Sequence, residues 1–277
     1  MNNVKTFVLL AGLLSLCLVV GQLLGGAGGL LIGGSLGVIM TFGSYWFSDR
    51  MVLRGYHAQL VTAEQAPELF AMVDRLRQRA GLPMPRLAIV PQPQPNAFAT
   101  GRSPTHAIVA VTQGALDLLP PDELEGVLAH ELGHIKNHDM LIGTVAAGIA
   151  AMLSVVPYLV MFGRGGDDDD GGGVGGLILL MLSPLLAMIL QFAISRQREF
   201  EADRTGAEIA GKARPLAQAL TRLDAIAHQQ PMDVSPSLAP LAQVNPLSGA
   251  RGMMRWLSTH PPTEDRVRAL LAMDAGR

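Results

Sequence analysis

Residues 121–138 read Pro-Asp-Glu-Leu-Glu-Gly-Val-Leu-Ala-His-Glu-Leu-Gly-His-Ile-Lys-Asn-His, and this stretch decides the fold. Proline opens it and Asp122, Glu123 and Glu125 fill its first turns, where a helix N-terminus favours both proline and negative charge. On such a helix His130 and His134 lie one turn apart on the same face, so two imidazoles can converge on one Zn²⁺. Glu131 sits about 100° around from His130, placed to take a proton from the metal's water without ligating. Chance would produce this HExxH pattern roughly once in 200 chains of this composition. The plain alternative, a surface helix with two incidental histidines, does not account for the helical context and the acidic start. His138, one further turn along, is open to three readings: a third ligand, a partner of a ligand, or a residue at a membrane surface. We take the second.

Working outward, the charge map places this helix between apolar segments. The chain has 277 residues, of which 49% are hydrophobic and 16% charged, against about 25% charged in soluble domains. Mean hydropathy is +0.32. Such a balance excludes disorder, collagen and coiled coil, and a lone cysteine, Cys17, excludes a disulfide scaffold. No charged residue occurs in 6–48, 140–163 or 171–195. About 20 apolar residues span a bilayer. The first run is therefore long enough for two helices folded back at Gly25–Gly29, giving four expected spans near 5–24, 30–47, 140–162 and 176–195. A cleaved signal peptide is disfavoured, because no small-x-small cleavage site is evident and a second apolar run follows at once. Buried soluble helices are disfavoured for the last two spans by their length.

Four spans put both termini on one side, together with segments 48–139 and 196–277. That side then carries 20 of the 21 Lys and Arg residues, the cytoplasmic signature. The expected organisation is an N-terminal membrane hairpin (1–47), a cytoplasmic protease segment (48–139), a second hairpin (140–195) and a second cytoplasmic segment (196–277). The loop 163–175, with Asp167–Asp170 among glycines, lacks calcium-binding spacing and reads as solvated. The two cytoplasmic segments hold 19 basic and 19 acidic residues, which gives nucleic-acid binding no electrostatic support.

In 64–80, Leu69, Phe70, Val73 and Leu76 recur at helical spacing, with Gly81 as the stop. Arg86–Val90 and His106–Val111 read as strands, and the proline-rich 91–95 between them as an edge or loop.

A catalytic zinc needs a third protein ligand and an open position. Residues 135–143 supply no further histidine-glycine motif. If the last two spans form an antiparallel hairpin, however, Glu199 emerges near the histidines despite 65 intervening residues. Glu201 and Asp203 also lie just past the fourth span, so proximity alone does not choose. Helical phase does. Glu199 and Asp203 share a face as i and i+4, whereas Glu201 points about 200° away. Glu199 is assigned to the metal, and Asp203 beneath it to orienting a ligand.

HExxH flanked by apolar spans, followed by Arg198-Glu199-Phe200-Glu201-Ala202-Asp203, resembles the HtpX-type membrane metalloproteases, relatives of the CAAX prenyl endoproteases. Asn96-Ala97-Phe98-Ala99-Thr100-Gly101, His106-Ala107-Ile108-Val109-Ala110-Val111 and His260-Pro261-Pro262-Thr263-Glu264-Asp265-Arg266 agree with it. The weakest stretch is 210–255. The resemblance implies an α+β, zincin-like (gluzincin) protease domain joined to four transmembrane helices in the bacterial inner membrane. It implies one Zn²⁺ per chain, with Glu199 as third ligand, and damaged or misfolded membrane proteins as substrates. It also implies a cleft along Asn96–Val111, including Asn96, Ala97, Phe98, His106 and Val109, and roles for His260 beside the developing oxyanion and Arg266 in orienting the site. For His260 a turn histidine before two prolines is the structural alternative. An exposed strand edge would hold substrate by backbone pairing with little sequence preference. Two rival readings are an intramembrane site-two-type protease, disfavoured by the charged residues around the motif, and a non-enzymatic membrane scaffold or chaperone.

Overall fold

The computed structural model describes residues 2–145, 196–229, 241–242 and 261–275. Most of the third and all of the fourth expected span, the 163–175 loop and His260 lie outside the described residues.

Helix α1 (Asn2–Gly55) is not a straight rod. Gly26 has φ +54°, and the helix doubles back there. A β-carbon on Gly21 would collide with the carbonyl oxygen of Gly29, and one on Gly33 with that of Cys17. Residues this far apart along a straight helix would not meet. Gly29, Gly33 and Gly37 form a small-residue stripe at four-residue spacing, which lets two apolar helices approach closely where burial from water offers no driving force. Within the described residues, Gly26–Gly43 is the one helical segment long and apolar enough to cross a membrane, and Leu10–Val19 is a shorter apolar one. Outward-facing Phe7, Leu31, Ile32 and Ile39 are about 70% exposed, so these faces need an apolar surrounding.

Past its apolar part, α1 becomes a support for a four-stranded sheet. Strands β1 (Gln59–Val61), β2 (Arg86–Val90), β3 (Ala97–Thr100) and β4 (Ile108–Thr112) lie in the order β1-β2-β4-β3. β2 and β4 are parallel, while β1 and β3 flank them antiparallel. Successive strand side chains alternate between faces. One face (Ala88, Val90, Phe98, Ile108, Ala110) packs on Val52 and Tyr56 of α1, with the Phe98 and Tyr56 ring centroids 4.4 Å apart. The other (Leu87, Ala97, Ala99, Val109, Val111) belongs to the main core.

That core is built around α4 (Pro121–Lys136), with α2 (Pro67–Ala80), the short α3 (Gln113–Leu118), α5 (Arg196–Ala210), α6 (Arg214–Gln229) and α7 (Thr263–Ala275) about it. α2 starts at a proline and ends at Gly81, whose φ of +70° is the left-handed conformation of a helix stop. α4 is buried on all sides from Gly126 to Gly133. Full burial of one leucine or valine contributes roughly 1.5–3 kcal/mol, and Val127, Leu128 and Leu132 are fully buried. The polar residues of the motif are carried into this interior, where each needs a partner.

Candidate metal centre

α4 and α5 cross closely because the contact is made of glycines. A β-carbon on Gly206 would stand 2.7 Å from the His130 α-carbon, and one on Gly133 would stand 2.9 Å from the Ala202 carbonyl oxygen. The crossing sets Glu199, in the first turn of α5, against both motif histidines. His130 Nε2 is 3.9 Å and His134 Nε2 3.6 Å from the Glu199 carboxylate. One ligand atom from each of the three residues lies within 4.8 Å of the others. The two imidazole rings stand perpendicular, 4.6 Å apart.

Each imidazole is held from behind. His130 Nδ1 lies 2.8 Å from Asp203, which receives two hydrogen bonds from the Arg266 guanidinium at 2.7 and 2.8 Å. His134 Nδ1 lies 3.4 Å from Asp139. With both Nδ1 atoms facing carboxylates, both Nε2 atoms face the common centre. Ligand atoms on a tetrahedral zinc with bonds of about 2.0–2.2 Å stand roughly 3.4 Å apart. Two nitrogens and a carboxylate at these separations fit such an ion.

Charges respond to this enclosure. Burial pushes His130 down to about 4, with His134 and Arg266 adding to the fall and Asp203 opposing it. Burial also acts to lower His134, but its bond to Asp139 and the charges of Glu199, Glu131 and Asp139 overcome it and raise it to about 9. Burial lifts Glu131 to about 7, while His134, Arg266 and a hydrogen bond with the Ala99 backbone pull the other way. For Asp203 burial is outweighed by Arg266 and His130, which hold it well below the usual carboxylate range. A buried carboxyl titrating near neutrality beside the histidines has the proton affinity of a general base.

Glu131 bonds the backbone of Ala99 on β3, whose outer edge pairs with no other strand among the described residues. The Thr112 N–H donates to the Asn96 carbonyl. By the antiparallel alternation, Phe98 and Thr100 then face β4, and Ala97 and Ala99 turn their backbone groups outward. The Ala97 N–H meets the Asn96 side-chain oxygen at 3.0 Å. β3 ends beside α1 and the start of the apolar run that follows Asp139: Thr144 Oγ1 accepts from the Gly101 N–H at 3.2 Å, and Arg102 lies 4.7 Å from the Trp46 ring.

The structure therefore brings together His130, Glu131, His134, Glu199, Asp203 and Arg266, with Asn96 and Ala97 on the neighbouring edge. Glu201 is exposed. Other expected residues fall elsewhere. Phe98 points to the opposite face of the sheet, against Tyr56. Val109 is buried in the central strand, within the core. His106 is exposed and bonded to Ser103 and Thr105. His138 is exposed, with φ +57°. The sequence reading missed Asp139, the neighbour of the histidine it singled out, and Arg198, whose buried charge lies near Asp139 and Glu199. The spacing of Asp139 five residues beyond His134 was the available signal.

A helix presenting two histidines and a glutamate, a second helix closing the group with another carboxylate, and a mixed sheet whose strand β3 lies alongside define a metallopeptidase of the HExxH class. Comparison with known proteins narrows this further. Residues 63–274 match the model of peptidase family M48, and the chain belongs to that family. It is 56% identical over 279 residues to a protease HtpX homolog of Gemmatimonas aurantiaca, covering 99% of this chain and 100% of the relative. It is 47% identical to one from Pyrococcus furiosus, covering 99% and 97%. The crystal structure of S. mikatae Ste24p is similar in fold, with a TM-score of 0.52 at 21% identity, covering 94% of this chain and 62% of that one. The protein is a membrane-associated metallopeptidase.

Proposed function

We propose that the chain is a zinc endopeptidase that holds one Zn²⁺ on His130, His134 and Glu199 and cleaves membrane proteins at the cytoplasmic face. The convergence of those three side chains, with Glu131 beside them, carries the reading. A zinc ion bound there would polarise the scissile carbonyl and bring the pKa of a water toward ~7. Glu131 takes the proton of the attacking water and delivers it to the leaving amine. Asp203, fixed by Arg266, keeps the His130 ring in register. Backbone pairing along the outer edge of β3 holds an extended substrate and tolerates many sequences, which suits damaged or misfolded chains; the Ala97 and Ala99 N–H groups exchange their partners in the substrate-free chain, Asn96 and Glu131, for it. Contacts from the end of β3 to Thr144 and Trp46 support access from the bilayer side. His260, by resemblance, hydrogen-bonds the developing oxyanion.

Four transmembrane helices with both termini in the cytoplasm complete the proposal. The charge distribution of the sequence and the fold-back of α1 at Gly26 support it. The test is purification without metal and comparison of peptidase activity before and after zinc addition. Activity should appear only with zinc. Glu131→Gln should bind zinc as the parent does but turn over roughly 10²–10⁴-fold more slowly. Undiminished activity of the metal-free protein would refute the proposal.

A further inference from the structure

The end of α4 closes on one of the motif histidines. The Asp139 N–H bonds the His134 carbonyl at 2.9 Å, and the His138 N–H bonds the Ile135 carbonyl at 3.2 Å. This pair of bonds, around a left-handed residue, is the Schellman helix stop. Glycine normally takes the left-handed position, yet here it is His138 at φ +57°. The stop usually brings together two apolar side chains, one from the last turn and one five residues on. Here those two positions are His134 and Asp139, and the contact is imidazole to carboxylate at 3.4 Å. The turn is anchored on α5, where Asn137 Nδ2 donates to Thr205 Oγ1 at 3.3 Å. Asp139 is 6% exposed, and the buried Arg198 lies near it. The pattern repeats what lies behind His130, where Asp203 backs the ring and an arginine backs the carboxylate.

We propose that Asp139 is a positioning residue of the metal centre: the left-handed turn at His138 returns its carboxylate to His134 Nδ1 and so aims His134 Nε2 at the metal position. His138 serves through its backbone conformation, and its imidazole takes no part. The inference rests on the zinc-site reading above.

Zinc affinity is measured on the full chain in detergent by competition with a chromophoric chelator, alongside the melting temperature of the metal-free protein. Asp139→Ala should weaken zinc about tenfold, the low end of the ~10–100-fold that such supporting groups carry, because its contact is longer than that of Asp203. Asp139→Asn, which keeps an acceptor without the charge, should recover part of the loss. Metal-free melts are compared above about pH 9, where His134 carries no charge for Asp139 to stabilise, and there both should melt close to the parent. His138→Gly should keep zinc affinity within about twofold and raise the metal-free melting temperature, since glycine adopts the turn without strain. If the parent takes up no zinc, the zinc-site reading itself fails. If the parent binds zinc and Asp139→Ala binds it equally well, only the role of Asp139 is overturned. A tenfold loss in His138→Gly would return the imidazole to the centre and overturn the backbone role. A general loss of folding is read from the metal-free melts, and zinc loss confined to variants that melt early would likewise overturn the positioning role.

Discussion

Gly206→Ala is the most direct perturbation of the helix crossing that assembles the centre. The added methyl would stand 2.7 Å from the His130 α-carbon and 2.8 Å from its backbone nitrogen. Non-bonded carbons rest about 3.5–4.0 Å apart, so α5 must recede from α4 by about 0.8 Å or more at that point. Glu199 lies seven residues away on α5, about 10 Å along the same rigid rod, and moves with it. Zinc–ligand distances are held within about 0.2 Å, so a recession of this size spoils the third ligand. Zinc affinity should fall by about 10–100-fold, the range seen when supporting groups are lost.

Stability should change less. Overpacking costs about 1–3 kcal/mol, and alanine in place of glycine returns roughly 0.5–1 kcal/mol of helix preference. Gly126→Ala supplies the control, because its methyl would stand 2.9 Å from the Leu216 backbone nitrogen, on the α6 side of the same helix. It should lower thermal stability in the same way yet leave the zinc affinity of the folded protein unchanged. Chelator competition and thermal melts on both variants decide the matter. Parent-like zinc affinity in Gly206→Ala, or equal losses in both, would refute the reasoning.

Three further outcomes are expected. Glu199→Ala should lose zinc and activity together while Glu201→Ala changes neither, as metal content and peptidase assay will show; the reverse would place the ligand on the wrong face of α5. With His134 raised to about 9 in the metal-free chain, zinc must displace a proton, so affinity should climb by up to tenfold per pH unit from about pH 7 toward 9. The same shift stabilises the metal-free fold below the ordinary histidine value and is lost as pH rises through about 9, so metal-free melts should fall over that window. For the topology, a cysteine probe at Gly172 should be labelled from outside intact cells and one at Ala275 should not.

The parts of the fold legible in the sequence are those with strong local signals. Gly81 marked the end of α2 and proline the start of α4, and β2 falls on the residues expected for it. β3 carried little such signal, since Ala97-Phe98-Ala99-Thr100 is short and half alanine. Placing Asn96, Ala97 and Phe98 in one cleft also overlooked strand alternation, which sends neighbours to opposite faces. Helical phase separated Glu199 and Asp203 from Glu201 because periodicity is local. It was silent on Asp139, whose contact with His134 depends on where α4 ends, a boundary that sequence signals leave open by one or two residues.

The charge inside the centre explains why it calls for a dication. Four carboxylates are buried there, on Glu131, Asp139, Glu199 and Asp203, together with two guanidiniums, on Arg198 and Arg266. With both histidines neutral, this leaves two uncompensated negative charges among the described residues, in an interior where isolated charge is costly. Protons make up part of the deficit in the metal-free chain. His134 is raised to about 9 and Glu131 to about 7, so each holds a proton to higher pH than it would in water. A divalent ion supplies the same two charges without occupying Glu131, which is then free to act as a base. The features that hold the ligands in place thus also set the protonation the base needs. The Glu123 carboxylate, buried in the same helix but bonded twice to Arg222, is balanced locally and lies outside this account. Among the described residues the deficit lies where α4 meets α5 and β3, around the point where the three ligands converge.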